Sequence, residues 1–203
     1  MSINVCNDRS MASITSLPSG VSGSSLVLIS EQTASSSATI SFTSGIDSTY
    51  KEYIFKFTDI HPATDNTDLT FNGSTDSGSN YNVTKTTTMF RAIHNEADND
   101  TELGYDTGGD LAQSTNFQSL IRSIGTDNDQ CGVGTLHLFD PSNTTFVKHF
   151  IQTSNSYGSA SNDYSRNQFF AGYLNTTSAI DAVQFKMSSG NIDAGTIKMY
   201  GVV

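Results

Sequence analysis

The sequence predicts an all-β fold, an antiparallel jelly-roll-like β-sandwich with an N-terminal extended arm. Three observations predict it. The 203 residues include 12 Phe and 8 Tyr but no Trp, and only 15% of them are charged. Ser, Thr, Asn, Asp and Gly fill much of the remainder, which suits half-buried Thr-rich strands joined by polar turns rather than a helical bundle. Apolar residues recur in short alternating runs, as pleated strands require. Turn-forming residues separate those runs at regular intervals, the pattern of a sandwich.

Taken in order, residues 1–25 are polar and carry Pro18, Gly20 and Gly23. No periodic apolar pattern runs through them, so they read as an arm or linker, disordered alone and ordered by a partner or neighbouring subunit. Ile3, Val5 and Ile14 are its candidate contact residues. Residues 26–203 read as the sandwich domain. "LVLIS" and "SATISFTS" are short strands. "YKEYIFKFTDIH" is the strongest, with Tyr53, Phe55 and Phe57 on one face and Lys56 and Thr58 on the other. "DLTFNGS" and "VTKTTTMFRAIHN" follow. "STNFQSLIRSIG" fits a helix through Phe117, Leu120, Ile121 and Ile124, or a strand with Leu120, Arg122 and Ile124 on one face; its surroundings favour the strand. "GTLHLFDPSNTTFVKHFIQT" is a hairpin turning at Asp140-Pro141-Ser142-Asn143, because Pro at the second turn position presets φ. "NQFFAGYL", "AIDAVQFKM" and "GTIKMYGVV" complete about ten strands. The last is expected to be an inner strand, Ile197 and Met199 facing one way, Lys198 and Tyr200 the other.

The net charge is −10, and no Lys/Arg cluster exists. Nucleic-acid binding requires a basic stripe, and anionic membranes attract basic segments, so neither partner is expected. The start of the chain lacks the basic-then-apolar pattern of a secretory signal, which predicts synthesis in a cytoplasm. Cys6 and Cys131 are expected there as free thiols.

Catalytic motifs are missing. There is no Gly-x-Ser-x-Gly elbow, no His-Glu-x-x-His or Cys-x-x-Cys, and no Gly-rich phosphate loop before a helix, so no enzyme and no cofactor are predicted. His137 and His149 lie in the two arms of one hairpin and read as half-buried strand residues rather than a metal pair. Asp98, Asp100 and Glu102 occupy the first three ligand slots of a calcium loop, but Leu103 stands where Gly is needed. They form a candidate calcium site, against the plainer reading of a solvated loop. Tyr157 and Tyr164, in "TSNSYGSASNDYSRN", are candidate recognition residues, since tyrosines among Ser, Gly and Asn give rigid amphipathic contact area or a stacking face for a sugar.

"GTLHLFDPSNTTFVKHF", "AGYLNTTSAIDAVQFKMSSGNIDAGTIKMYGV", "IDSTYKEYIFKFTDIHPATDN" and "GSNYNVTKTTTMFRA" resemble virion-associated structural and tail-fibre-like proteins of marine tailed bacteriophages, over residues 25–203. The resemblance implies a place more than an activity. The chain would be a non-enzymatic phage structural protein on the virion surface, either a capsid decoration (cement) protein or a fibre component. It would be made in the host cytoplasm, would contact other virion proteins and would form a homo-oligomer such as a trimer. The alternative is a receptor- or glycan-binding tip module that meets a host-surface glycan.

Overall fold

The computed structural model describes residues 25–158 and 163–203. Every element of regular structure among them is a β-strand: β1 (Leu26–Thr33), β2 (Ile40–Phe42), β3 (Glu52–Pro62), β4 (Thr67–Ser74), β5 (Lys85–Asn95), β6 (Thr101–Tyr105), β7 (Gln118–Ile124), β8 (Gly132–Phe139), β9 (Lys148–Gly158), β10 (Tyr164–Leu174), β11 (Ala182–Met187) and β12 (Ile192–Val202). All pairings are antiparallel, and the twelve strands form one nearly closed, barrel-like sheet. The arm and its residues Ile3, Val5, Cys6 and Ile14 lie outside the described residues.

Two runs of strands make up the sheet. One follows β1-β12-β3-β8-β9-β10-β5-β6, the other β7-β4-β11-β2. They join at the Ile124–Gly158 pair of β7 and β9. At the opposite side Gln32 of β1 donates its amide to the Ser41 carbonyl of β2 (2.6 Å).

Alternation puts the apolar residues between the two runs. Tyr53, Phe55 and Phe57 of β3 are buried, and Leu136, Leu138, Ile197 and Met199 flank them. Leu69, Phe71, Val183 and Phe185 come from the facing run. The Phe185 ring is at the centre, with centroids 5.3 Å from both Phe55 and Phe57, 6.1 Å from Phe42 and 6.4 Å from Phe71. β12 is held by β1 on one side and β3 on the other, as its pattern predicts. A Cβ at Gly201 would stand 2.3 Å from the Tyr50 ring, so only glycine lets that ring lie flat on the strand.

"STNFQSLIRSIG" is the strand β7. Its predicted alternation breaks, because the register against β4 shifts near Leu69 and both Leu120 and Ile121 are buried. The β8–β9 turn closes through Asn143 N–H to the Asp140 carbonyl at 3.0 Å, as its Pro141 predicts.

The register also defines two ends. Val202, Phe139, Lys148, Leu174 and Lys85 lie at one; Tyr157, Tyr164, Asn95 and Gly132 lie at the other.

Candidate functional site

Strands β5 and β6 form one hairpin, β9 and β10 another, and β10 pairs with β5 over its whole length from Tyr164–Asn95 to Leu174–Lys85. The two hairpins therefore make a four-stranded extension, β9-β10-β5-β6, beside β8. Strand β9 alternates without a fault, yet its inner face changes character along the strand. Phe150 joins the apolar core, while Gln152, Ser154 and Ser156 are buried polar residues. Gln168 and Arg166 do the same on β10.

Most of these polar side chains have a definite task. Strand β7 shares a single backbone pair with β9, so its edge needs other partners. Ser154 Oγ donates to the Leu120 carbonyl (2.8 Å), and Ser156 Oγ donates to the Arg122 carbonyl (3.0 Å). Gln168 Oε1 accepts from the Arg122 N–H (2.9 Å). Side chains thus replace a backbone ladder and close the barrel. Gln152 is the exception: it is fully buried, and neither its Nε2 nor its Oε1 has a partner among the described residues.

A cluster of charges surrounds that seam. Asp106 accepts from Arg91 (2.9 Å) and from Arg122 (2.8 Å), and Arg122 reaches Asp68 at 3.3 Å. Arg166, only 9% exposed, donates to Ser123 Oγ at 2.7 Å. Burial, then the Arg91 and Arg122 charges, draw its pKa down. Lys85 and Lys148 are wholly buried at the far end. Lys85 Nζ donates to the Asn116 carbonyl (2.6 Å), and burial pushes its pKa down to about 7. Lys148 bonds the Phe146 and Thr176 carbonyls, and burial lowers its pKa too.

Among the described residues the sequence-predicted site residues Asp98, Asp100, Glu102, Tyr157 and Tyr164 fall on this extension, and Asp98, Tyr157 and Tyr164 line one cleft. A cleft of about 350 Å³ at the Tyr157 end is lined by Tyr157, Tyr164, His94, Glu96, Asp98 and Asn155, among others. Tyr164 donates to Asp100 (2.7 Å), and Glu96 lines the cleft beside Tyr157. Partial burial, then the carboxylates of Asp163, Glu96 and Asp129, push the Tyr157 phenol up to about 12. Each candidate calcium ligand has its own partner: Asp98 faces His94, Asp100 accepts from Tyr164, and Glu102 pairs with Arg91. Among the described residues no group of three acidic, His or Cys side chains is placed to hold a metal. His137 stands opposite Ile151 rather than His149, and its Nδ1 bonds Glu52.

No family model, curated protein or solved structure matches this chain. No helix among the described residues is long and apolar enough to cross a membrane.

Sequence reasoning missed the outer face of the extension. Phe90 and Phe169 stack there at 4.6 Å with planes 8° apart, and Tyr105 stands opposite Phe90 in the register. Toward the Val202 end two adjoining hollows, of about 490 and 590 Å³, share Phe139 and His149. Ile151, 52% exposed, and Phe146, 69% exposed, border them. The available signal was an apolar residue on the outward phase of a strand, as at Phe90 and Ile151.

Proposed function

We propose that the chain is a non-enzymatic structural protein of a phage particle, displayed at its surface and built as a jelly roll with an added four-stranded extension. The observation that carries this is the strand order. The four strands β1-β12-β3-β8 face β7-β4-β11-β2. Numbering those eight alone as B to I gives B-I-D-G against C-H-E-F, the arrangement of two-sheet jelly rolls. Such folds recur in viral capsid and lectin domains. The extension then consists of one hairpin inserted between E and F and one between G and H. Fold alone does not assign function. The particle reading draws further support from the exposed aromatic face of the extension, an interface-like surface, and from the resemblance of residues 25–203 to phage virion proteins.

Cryo-EM of the intact particle tests it. Regular copies across the shell, or copies along a fibre, are the expected result. A chain found free in lysate and absent from particles overturns it.

A second reading is favoured by the cleft that brings Tyr157 and Tyr164 together. A lectin-like tip module would use the two rings with the amide of Asn155 to hold a host-surface glycan. Adsorption of the chain to host cells, abolished by Tyr157→Ala with Tyr164→Ala, is its expected signature. Adsorption that survives the double substitution, or none at all, removes it.

A further inference from the structure

We propose that the N-terminal segment of one copy seats in the apolar groove on the outer face of a neighbouring copy, with Ile3, Val5 and Ile14 as its anchors. The inference rests on the surface-protein reading above and names the partner as a second copy of this chain.

The groove comprises the two hollows at the Val202 end, where Phe139, Phe146, His149, Ile151 and Tyr173 line adjoining walls. Phe146 and Ile151 are the two most accessible of these apolar residues. Exposed apolar patches of this kind mark interaction sites.

The segment leaves the structure at the same end. Ser25 accepts from the Val203 N–H (3.2 Å), beside the Leu26–Val202 pair. It carries the apolar residues Met1, Ile3, Val5 and Ile14 among small polar ones. Its only charges, Asp8 and Arg9, cancel, whereas the whole chain carries −10. Two such chains repel each other at long range, so a stable contact requires apolar surface. Fully extended, residues 1–24 span about 80 Å, and the four strand spacings from β1 to β9 total about 19 Å. The segment is therefore long enough to pass beyond its own copy to the groove of a neighbour.

The placement of the two parts selects a neighbour. The segment departs from β1, one open edge of the eight-strand run; the groove lies over β8, β9, β10 and β5, toward the other open edge at β6. Donor and acceptor on opposite flanks make a head-to-tail contact. Repeated around an axis, that contact closes a ring of identical copies.

Cys6, inside the segment, supplies a native probe. Thr177 is exposed and lines the groove. The other cysteine, Cys131, is at the far end, half-buried, with its thiol pushed up by burial and then by Asp59. In full-length Thr177→Cys under a mild oxidant, a disulfide between Cys6 of one chain and position 177 of another is expected, seen as dimers and larger species on non-reducing gels. Adding Cys6→Ser must abolish them. No cross-link, or one within a single chain, overturns the proposal. Light scattering gives an independent readout: Phe146→Ser with Ile151→Ser, both surface changes, converts an oligomer to a monomer. An unchanged mass, or a monomeric native chain, overturns it. A chain located in particles that fails both tests sinks this contact while leaving the particle reading intact.

Discussion

The eight strands β1-β12-β3-β8 and β7-β4-β11-β2 and the four-stranded extension beside them bury their inner faces by different means. Where β3, β8 and β12 meet β4 and β11, the interior is rings and aliphatic chains around Phe185. Where β9 and β10 meet β7, it is Ser and Gln side chains bonded to the backbone of a strand edge. Apolar contact is non-directional and tolerates small shifts, whereas each hydrogen bond of the seam requires one geometry and exacts the full desolvation penalty when broken. The first region supplies stability. The second fixes one position for the hairpins that carry the cleft and the groove.

Substitutions on the two sides should differ in size and in kind. Phe185→Ala removes the ring shared by four others and is expected to cost about 3–5 kcal/mol, measured by urea unfolding. A smaller loss there would mean that the aromatic centre is not the main support of the barrel. Gln168→Leu strands the Arg122 N–H and is expected to cost about 1–3 kcal/mol. Amide exchange should then quicken in β9, β10, β5 and β6 before the rest. Gln152→Leu, two residue pairs further along the same seam, is expected to be neutral or stabilising, because no partner is lost. Equal losses from the two Gln substitutions would erase the distinction between bonded and unbonded seam residues.

The pH dependence sharpens the same contrast. Lys85 titrates near 7 in the folded chain against 10.5 unfolded, so between those values the unfolded state binds more protons. Stability should therefore rise as pH climbs from 7 toward 10, with the buried-charge penalty fully present below 7. Lys148 acts in the same direction. Lys85→Met is expected to flatten the rise in a series of urea titrations; an unaltered slope would place its source elsewhere. Tyr157, at about 12 folded against 10 unfolded, works the other way and should lower stability between pH 10 and 12. Tyr157→Phe, the mildest change, should remove only that fall and leave neutral pH unaffected.

The antiparallel strands around the apolar core were legible in the sequence and the extension only partly so. Tyr53, Phe55 and Phe57 announce a strand because period-two pleating forces their order, and Asp140-Pro141 announces a turn because proline fixes φ. Strand β6 gave no such signal. It is an edge whose Leu103 and Tyr105 are both exposed, so it has no buried face to write an alternation, and it read as part of an acidic loop. The seam was equally hidden. Ser154, Ser156 and Gln168 look like surface residues until the edge of β7 is seen to lack a ladder, and that lack is a property of pairing between distant strands. For the cleft, the sequence named Tyr157 and Tyr164 but not their convergence with Glu96 and Asp100, which depends on the β5–β10 register.

The position of β12 between β1 and β3 has a consequence for synthesis. A ribosome delivers β1 and β3 early, yet neither can form its ladder with β12 until residues 192–202 have emerged. Until then the nascent chain displays two unpaired strand edges, one of them bearing Tyr53, Phe55 and Phe57. Such edges are templates for association with other chains. Barrel closure is in that sense a late, single event, and holding those strands apart until it happens is a task for chaperones or for slow, cold expression.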